Sequence, residues 1–328
     1  MFRPSLLLAL AAGLLAAGCG SNADQAGSST GQTAPRPVSL QLDWYPNPDH
    51  VGIYAALDEH VFARHGLAVS IHQPSDVSDP VKLVAAGRSD LGISYEPELF
   101  FAQQERAPVV AVAALVPTAL NSIIARGGEG IGSPADLRGR TIGEDGSRST
   151  AAYLDTVLRH AGLDPANDVN RVDVGFNLVP ALLSKKVDAI IGAFQNIEGA
   201  QLAARGVDPV VFPVDQHGVP RYDELVLIAN RDRLRDDAGY RARVRDFTAA
   251  LTQATEWARS HPQQAIEVMR RHCSRDYRDV LEQSVPATLK LLDTSALVPD
   301  EWEAFGAWMA KQGLLDGEPD GRALVTNP

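Results

Sequence analysis

The sequence predicts an α/β fold of two doubly wound lobes with a ligand cleft between them. From Val38 onward, short apolar or alternating runs are separated by stretches of helical length and spacing, the pattern of largely parallel sheets covered by helices. The alternation breaks at Gly127-Gly128-Glu129-Gly130 and restarts at Thr141, so it comes in two blocks. With 328 residues, 45% of them hydrophobic, the chain can bury a large core as one domain or two lobes.

The N-terminus is a separate matter. Arg3, an apolar run from Leu6 to Ala17 and the small-residue sequence Ala16-Ala17-Gly18-Cys19 read as a bacterial lipoprotein signal over residues 1–18, with Cys19 as the acyl attachment point. The run falls short of the roughly 20 apolar residues of a membrane span. Residues 19–37 are polar and rich in Gly, Ser and Thr, a composition that cannot bury enough surface to order itself, and form a flexible tether. With Cys19 acylated, Cys273 stands alone, which excludes a disulfide framework within one chain. A net charge of −11 gives no general attraction to nucleic acid, which is dropped as a partner.

The first block, residues 38–125, reads as strand Val38 to Trp44, helix Gly52 to His65, strand Leu67 to Gln73, helix Pro80 to Ala86, strand Asp90 to Tyr95, helix Pro97 to Arg106 and strand Val109 to Val116. Asn121 to Arg126 leads into the glycine-rich crossing. The second, residues 126–222, carries strands Thr141 to Glu144, Arg171 to Val174, Asp188 to Phe194 and Val210 to Val214, with helices Thr150 to Ala161, Val179 to Lys186 and Ile197 to Arg205 between them. Residues 223–328 return to the first lobe through strand Glu224 to Asn230. Helices then follow at Tyr240 to Ser260, from Pro262, at Asp276 to Leu292 and at Asp300 to Gly313.

Open α/β sheets bind ligands at the carboxyl ends of their strands, so the residues just after strands are the candidates. Asp43-Trp44-Tyr45-Pro46-Asn47 sets aromatics beside polar groups: a flat ring can stack on Trp44, and Asn47 offers hydrogen bonds. Tyr95 follows the third strand, where Glu96 and Glu98 also serve simply to complement the start of the helix begun by Pro97. Gly146 lies in Asp145-Gly146-Ser147-Arg148-Ser149-Thr150, a turn whose free N–H groups can hold an anionic or carbonyl oxygen, or only cap the helix. Phe194, Asn196 and Glu198 follow another strand, and Tyr222 and Glu224 precede the returning one. Aromatic, amide and acid together suit a small polar heterocycle, whereas an anion would want several arginines and only Arg148 and Arg221 are placed for that.

Leu42-Asp43-Trp44-Tyr45-Pro46-Asn47, Gly87 to Tyr95, Val174 to Leu182, Val187 to Gly192 and Gly218-Val219-Pro220 resemble, in collinear order, the thiamine-pyrimidine precursor binding proteins of ABC importers. That group also includes sulfonate-binding proteins and eukaryotic thiamine pyrimidine synthases. The resemblance implies a type II periplasmic-binding-protein fold that closes by hinge motion and binds formylaminopyrimidine or hydroxymethylpyrimidine. It further implies an ABC permease and its ATPase as partners; together with the lipoprotein signal ending at Cys19, the expected location is lipid-anchored on the outer face of the cell membrane. By position, Trp44 and Tyr95 fall in the stacking loops and Asn196 and Glu198 in the second-lobe loop, whose glutamate reads the amino edge. Tyr222 and Glu224 precede the returning strand. The second-lobe loop departs from the pattern at Gln195 and Ile197. The alternative is a receptor for another nutrient, such as an aliphatic sulfonate or a different heterocycle.

The enzymatic branch of that group, as the resemblance implies it, needs a lysine for pyridoxal phosphate, a histidine four residues on and a cysteine-rich run for iron. The lysine position is Ser94, the histidine position is Glu98, and no cysteine lies between Gly20 and His272. No Gly-x-Ser-x-Gly elbow is present, and His50, His60, His65 and His72 are not at metal-ligand spacing. No catalytic residue, cofactor or metal is expected.

Overall fold

The computed structural model describes residues 34–294 and 297–327. The expected signal segment 1–18, Cys19 and the tether through residue 33 lie outside the described residues. The first sheet is built from β1 (Arg36–Gln41), β2 (Leu67–His72), β3 (Leu91–Ser94) and β4 (Val109–Val116), connected through α1 (Val51–Asp58), α2 (Val61–Arg64), α3 (Asp79–Ala85) and α4 (Glu96–Gln104). The second holds β5 (Asn121–Arg126), β6 (Thr141–Glu144), β7 (Asn170–Asp173), β8 (Ala189–Phe194) and β9 (Pro209–Pro213), with α5 (Arg148–His160), α6 (Leu178–Leu183) and α7 (Ala200–Ala204). β10 (Leu225–Asn230) returns to the first sheet, followed by α8 (Arg231–Asp236), α9 (Ala238–Ser260), α10 (Pro262–His272), α11 (Leu281–Leu289) and α12 (Pro299–Lys311).

The two sheets share one plan. Their strand orders are β2-β1-β3-β10-β4 and β7-β6-β8-β5-β9. In each, the three strands at one side run parallel, and the strand that follows a crossing between sheets inserts antiparallel. All residues of β4 and β10 are buried. Their unbroken apolar runs reflect helices covering both faces.

Three expectations are corrected. The run Asn121-Ser122-Ile123-Ile124-Ala125-Arg126 is a strand of the second sheet, paired with β8 and β9. The crossing therefore lies at residues 117–120, and the boundary at 125/126 moves back; fully buried Ile123, Ile124 and Ala125 are the reason. The tether ends before residue 37, because Arg36 and Pro37 pair with Leu67 and Ala68 in the sheet. The helix expected from Gly52 to His65 is broken into α1 and α2 at His60, whose φ of 56° is left-handed.

The C-terminal helices complete the first lobe. α9 packs along α1, and α12 lies against α4, where Gly306 allows the ring of Phe100 to approach. Trp302 of α12 donates from its indole to Asp223 (2.8 Å), tying this helix to the returning crossing.

Candidate functional site

The strand-end loops of both sheets converge on two adjoining cavities. The smaller, about 20 Å³, lies among Asp43, Tyr95, Phe194 and Ile197. The larger, about 390 Å³, lies beyond it, bordered by Tyr45, Phe176, Gln201, Arg205 and Tyr277, and falls within the range of small-molecule sites, about 300–1,000 Å³. Trp44 and Glu198 wall both.

Trp44 is 8% exposed. Its indole donates to the Tyr277 hydroxyl (3.0 Å), and its ring meets the Phe176 ring edge-on at 4.3 Å. The tryptophan is therefore set by one group from the C-terminal region and one from the second lobe. Asn47 borders the small cavity but is occupied: its side chain accepts from the Asp49 N–H (2.8 Å) and its own N–H donates to His50 Nδ1 (3.2 Å). It shapes the loop as a cap. Tyr95 donates to Asp43 (2.8 Å), and Asp43 also bonds His50 Nε2 (2.9 Å). Burial raises the Asp43 carboxyl, but the hydrogen bonds from His50 and Tyr95 outweigh it and hold it below its ordinary value.

Glu198 is the buried acid on the wall that the two cavities share. It lies in a π-helical turn, Gln195–Gly199, at the carboxyl end of β8, and one of its oxygens accepts from the Phe194 N–H (2.8 Å). Burial pushes its carboxyl up to about 8, and the charge of Asp49 adds to the rise. Neither Glu198, Asp43 nor Asp49 pairs with a lysine or arginine among the described residues. Arg205 is the cationic residue on the wall of the larger cavity, and the buried acids without such a partner favour a ligand that donates hydrogen bonds.

The remaining sequence candidates are placed elsewhere. Gly146 borders neither cavity. Its φ of +86° serves the turn before α5, where a Cβ would sit 3.1 Å from a carboxylate oxygen of Asp173. Within the turn, Ser147 donates its N–H to Asp145 and its hydroxyl accepts from the Thr150 N–H. Tyr222 packs between Tyr153 and Phe305, with centroids 5.1 and 5.2 Å away, because its ring is needed in the core. Its hydroxyl donates to Glu224 (2.7 Å), which also accepts the Leu120 and Asn121 N–H groups (2.6 and 2.7 Å). Glu224 thus binds the two crossings together and does not face either cavity. Asn196 points to the other side of its turn, to Asp49 and Thr288. Arg148 lies over the Phe101 ring and bonds Glu105 (3.1 Å), so it offers no anion contact in the cavities.

Phe176 and Tyr277 are wall residues absent from the sequence candidates. Phe176 lies just beyond β7 and carries the same positional signal as Trp44 and Tyr95. Tyr277 comes from a 3₁₀ turn, Arg275–Val280, and has no such signal.

A family profile described as NMT1/THI5 like matches residues 47–265. The chain belongs to the NMT1/THI5-like family. A protein of Haemophilus influenzae named for thiamine biosynthesis is 40% identical over 281 residues, covering 85% of this chain and 88% of the relative. The formylaminopyrimidine-binding protein of Halalkalibacterium halodurans is 33% identical over 322 residues, covering 95% and 94%. Among solved structures, the alkanesulfonate-binding protein SsuA from Xanthomonas axonopodis pv. citri superimposes with a TM-score of 0.72 at 17% identity, covering 90% of this chain and 99% of that one. That likeness establishes the fold of a periplasmic binding protein.

Proposed function

We propose that this NMT1/THI5-like chain is the extracytoplasmic receptor of an ABC importer for a pyrimidine precursor of thiamine, formylaminopyrimidine or hydroxymethylpyrimidine. The observation that carries the reading is the shared wall of the two cavities: Trp44 presents an aromatic surface, and Glu198 presents a buried acid held neutral near pH 7. A protonated carboxyl donates one hydrogen bond and accepts another. An aminopyrimidine edge, a ring nitrogen beside an amino group, is its complement. The name of the 33% identical relative points to the same ligand class.

Binding proceeds by closure of the two lobes about the crossings that Glu224 joins, with the closed form docking on the permease and its ATPase. Lipidation at Cys19 holds the receptor at the membrane. The synthase reading is disfavoured by Ser94 and Glu98, which stand where that chemistry needs lysine and histidine; Glu98 accepts hydrogen bonds from Ser149 (2.7 and 3.3 Å). A sulfonate is disfavoured by the buried acids.

The test is a calorimetric titration of the chain from Ala34 with both pyrimidines, thiamine and taurine. Saturable binding of a pyrimidine supports the reading. Heat from taurine alone overturns it.

A further inference from the structure

Asn196, a candidate ligand contact from the sequence, lines neither of the cavities that Trp44 walls. Its amide instead divides its two hydrogens between Asp49 (2.9 Å) and Thr288 (2.8 Å). Thr288 in turn sets its hydroxyl toward the same Asp49 oxygen (3.3 Å). This is a closed ring of three side chains from three segments. One is the π-helical turn of the second lobe; the others are the 3₁₀ turn Pro48–His50 and α11 of the first. Asp49 is 2% exposed and Thr288 fully buried. Asp49 is itself fixed by its N–H on the Asn47 side chain (2.8 Å).

We propose that Asn196 is a positioning residue: it latches the second lobe onto the first and thereby seats Glu198, two residues on in the same turn, against the ligand cavity. The proposal rests on the two-lobe receptor reading given above. The turn is held from opposite sides, Asn196 by the first lobe and Glu198 by the Phe194 N–H. A further tie between the lobes, Gln201 to the Asp276 carbonyl (2.9 Å), lies just beyond it. None of these bonds passes through a ligand. The latch therefore sets how often the binding-competent arrangement is populated before ligand arrives, and the apparent affinity scales with that population.

The experiment pairs ligand affinity with a distance measured in the ligand-free protein, by energy transfer between dyes on the exposed positions Arg159 and Lys311. Asn196→Ala is expected to lengthen the ligand-free distance and weaken pyrimidine binding about tenfold or more, the scale of hydrogen bonds to a charged acceptor. Thr288→Val, which keeps the shape and removes the hydroxyl, is expected to do the same to a smaller degree. Asn196→Asp faces Asp49 with a like charge and is expected to open the protein further. Adding Asp49→Asn to it restores a donor and an acceptor in reversed roles and is expected to recover both readouts, which a merely misfolded variant cannot do. Glu198→Gln is expected to change affinity and leave the ligand-free distance alone. The proposal is overturned if Asn196→Ala leaves the ligand-free distance unchanged, whatever happens to affinity, or if the reciprocal swap recovers nothing. Since the distance needs no ligand, it decides the latch even if no pyrimidine binds and the receptor reading fails.

Discussion

Replacing Glu198 by glutamine tests the electrostatics of the site without any ligand. The carboxyl is buried, lacks a cationic partner and is raised from 4.5 to about 8. At about 1.4 kcal/mol per pH unit, that shift links the proton to folding by about 5 kcal/mol. The sign comes from proton counting. Between pH 4.5 and 8 the folded protein holds a proton that the unfolded chain has released, so this group's contribution is complete below 4.5 and is lost as pH rises through 8. Glutamine keeps an acceptor for the Phe194 N–H and does not titrate. In urea denaturation of the ligand-free protein, Glu198→Gln should gain at least about 2 kcal/mol on the wild type between pH 5 and pH 9. The raised carboxyls of Glu224 and Asp49 titrate in both proteins and largely cancel in the difference. Wild-type and variant stabilities that run parallel over this range would refute the reasoning.

Other substitutions probe the neighbouring parts. Trp44→Ala removes the wall of both cavities and strands the Tyr277 hydroxyl, so pyrimidine affinity should fall about tenfold or more; an unchanged Kd by calorimetry removes Trp44 from the site. Glu224→Ala leaves the Leu120 and Asn121 N–H groups and the Tyr222 hydroxyl without their acceptor, at about 1–3 kcal/mol for each buried donor. Lower stability and faster amide exchange at Leu120 and Asn121 are expected, and unchanged exchange there would mean that Glu224 does not clamp the crossings. Gly306→Ala places a Cβ 2.4 Å from Phe100 Cε1, so a destabilisation of about 1–3 kcal/mol from overpacking should outweigh the helix-propensity gain. A thermal midpoint that stays level or rises would contradict the packing of α12 on α4.

The fold was legible because its strands announce themselves by composition. β4, Val-Val-Ala-Val-Ala-Ala-Leu-Val, and β10, Leu-Val-Leu-Ile-Ala-Asn, lie between covering helices and leave almost no polar interruption. β5 escaped as a strand because Asn121, Ser122 and Arg126 are polar despite being buried; Arg126 bonds Glu129 and the Val187 carbonyl. At the site, Trp44, Tyr95, Phe194 and Glu198 stand out by their positions at or just beyond strand ends, and each borders a cavity. Position alone does not separate them from Asn196 or Glu224, since it fixes where a residue begins and not which way its side chain turns. Tyr222 illustrates the limit: its neighbours Tyr153 and Phe305 come from distant segments, and only the packed structure shows that they claim its ring. Tyr277 was invisible for the converse reason, arriving at the cavity from a helical region far along the chain.

The most direct test of the central claim is the titration of the ligand-free chain from Ala34 with formylaminopyrimidine and hydroxymethylpyrimidine, with taurine as the anionic comparison. Saturable binding of at least one pyrimidine at micromolar or tighter Kd, abolished or strongly weakened by Trp44→Ala, is the predicted result. Silence from both pyrimidines, or a response to taurine alone, would contradict the account.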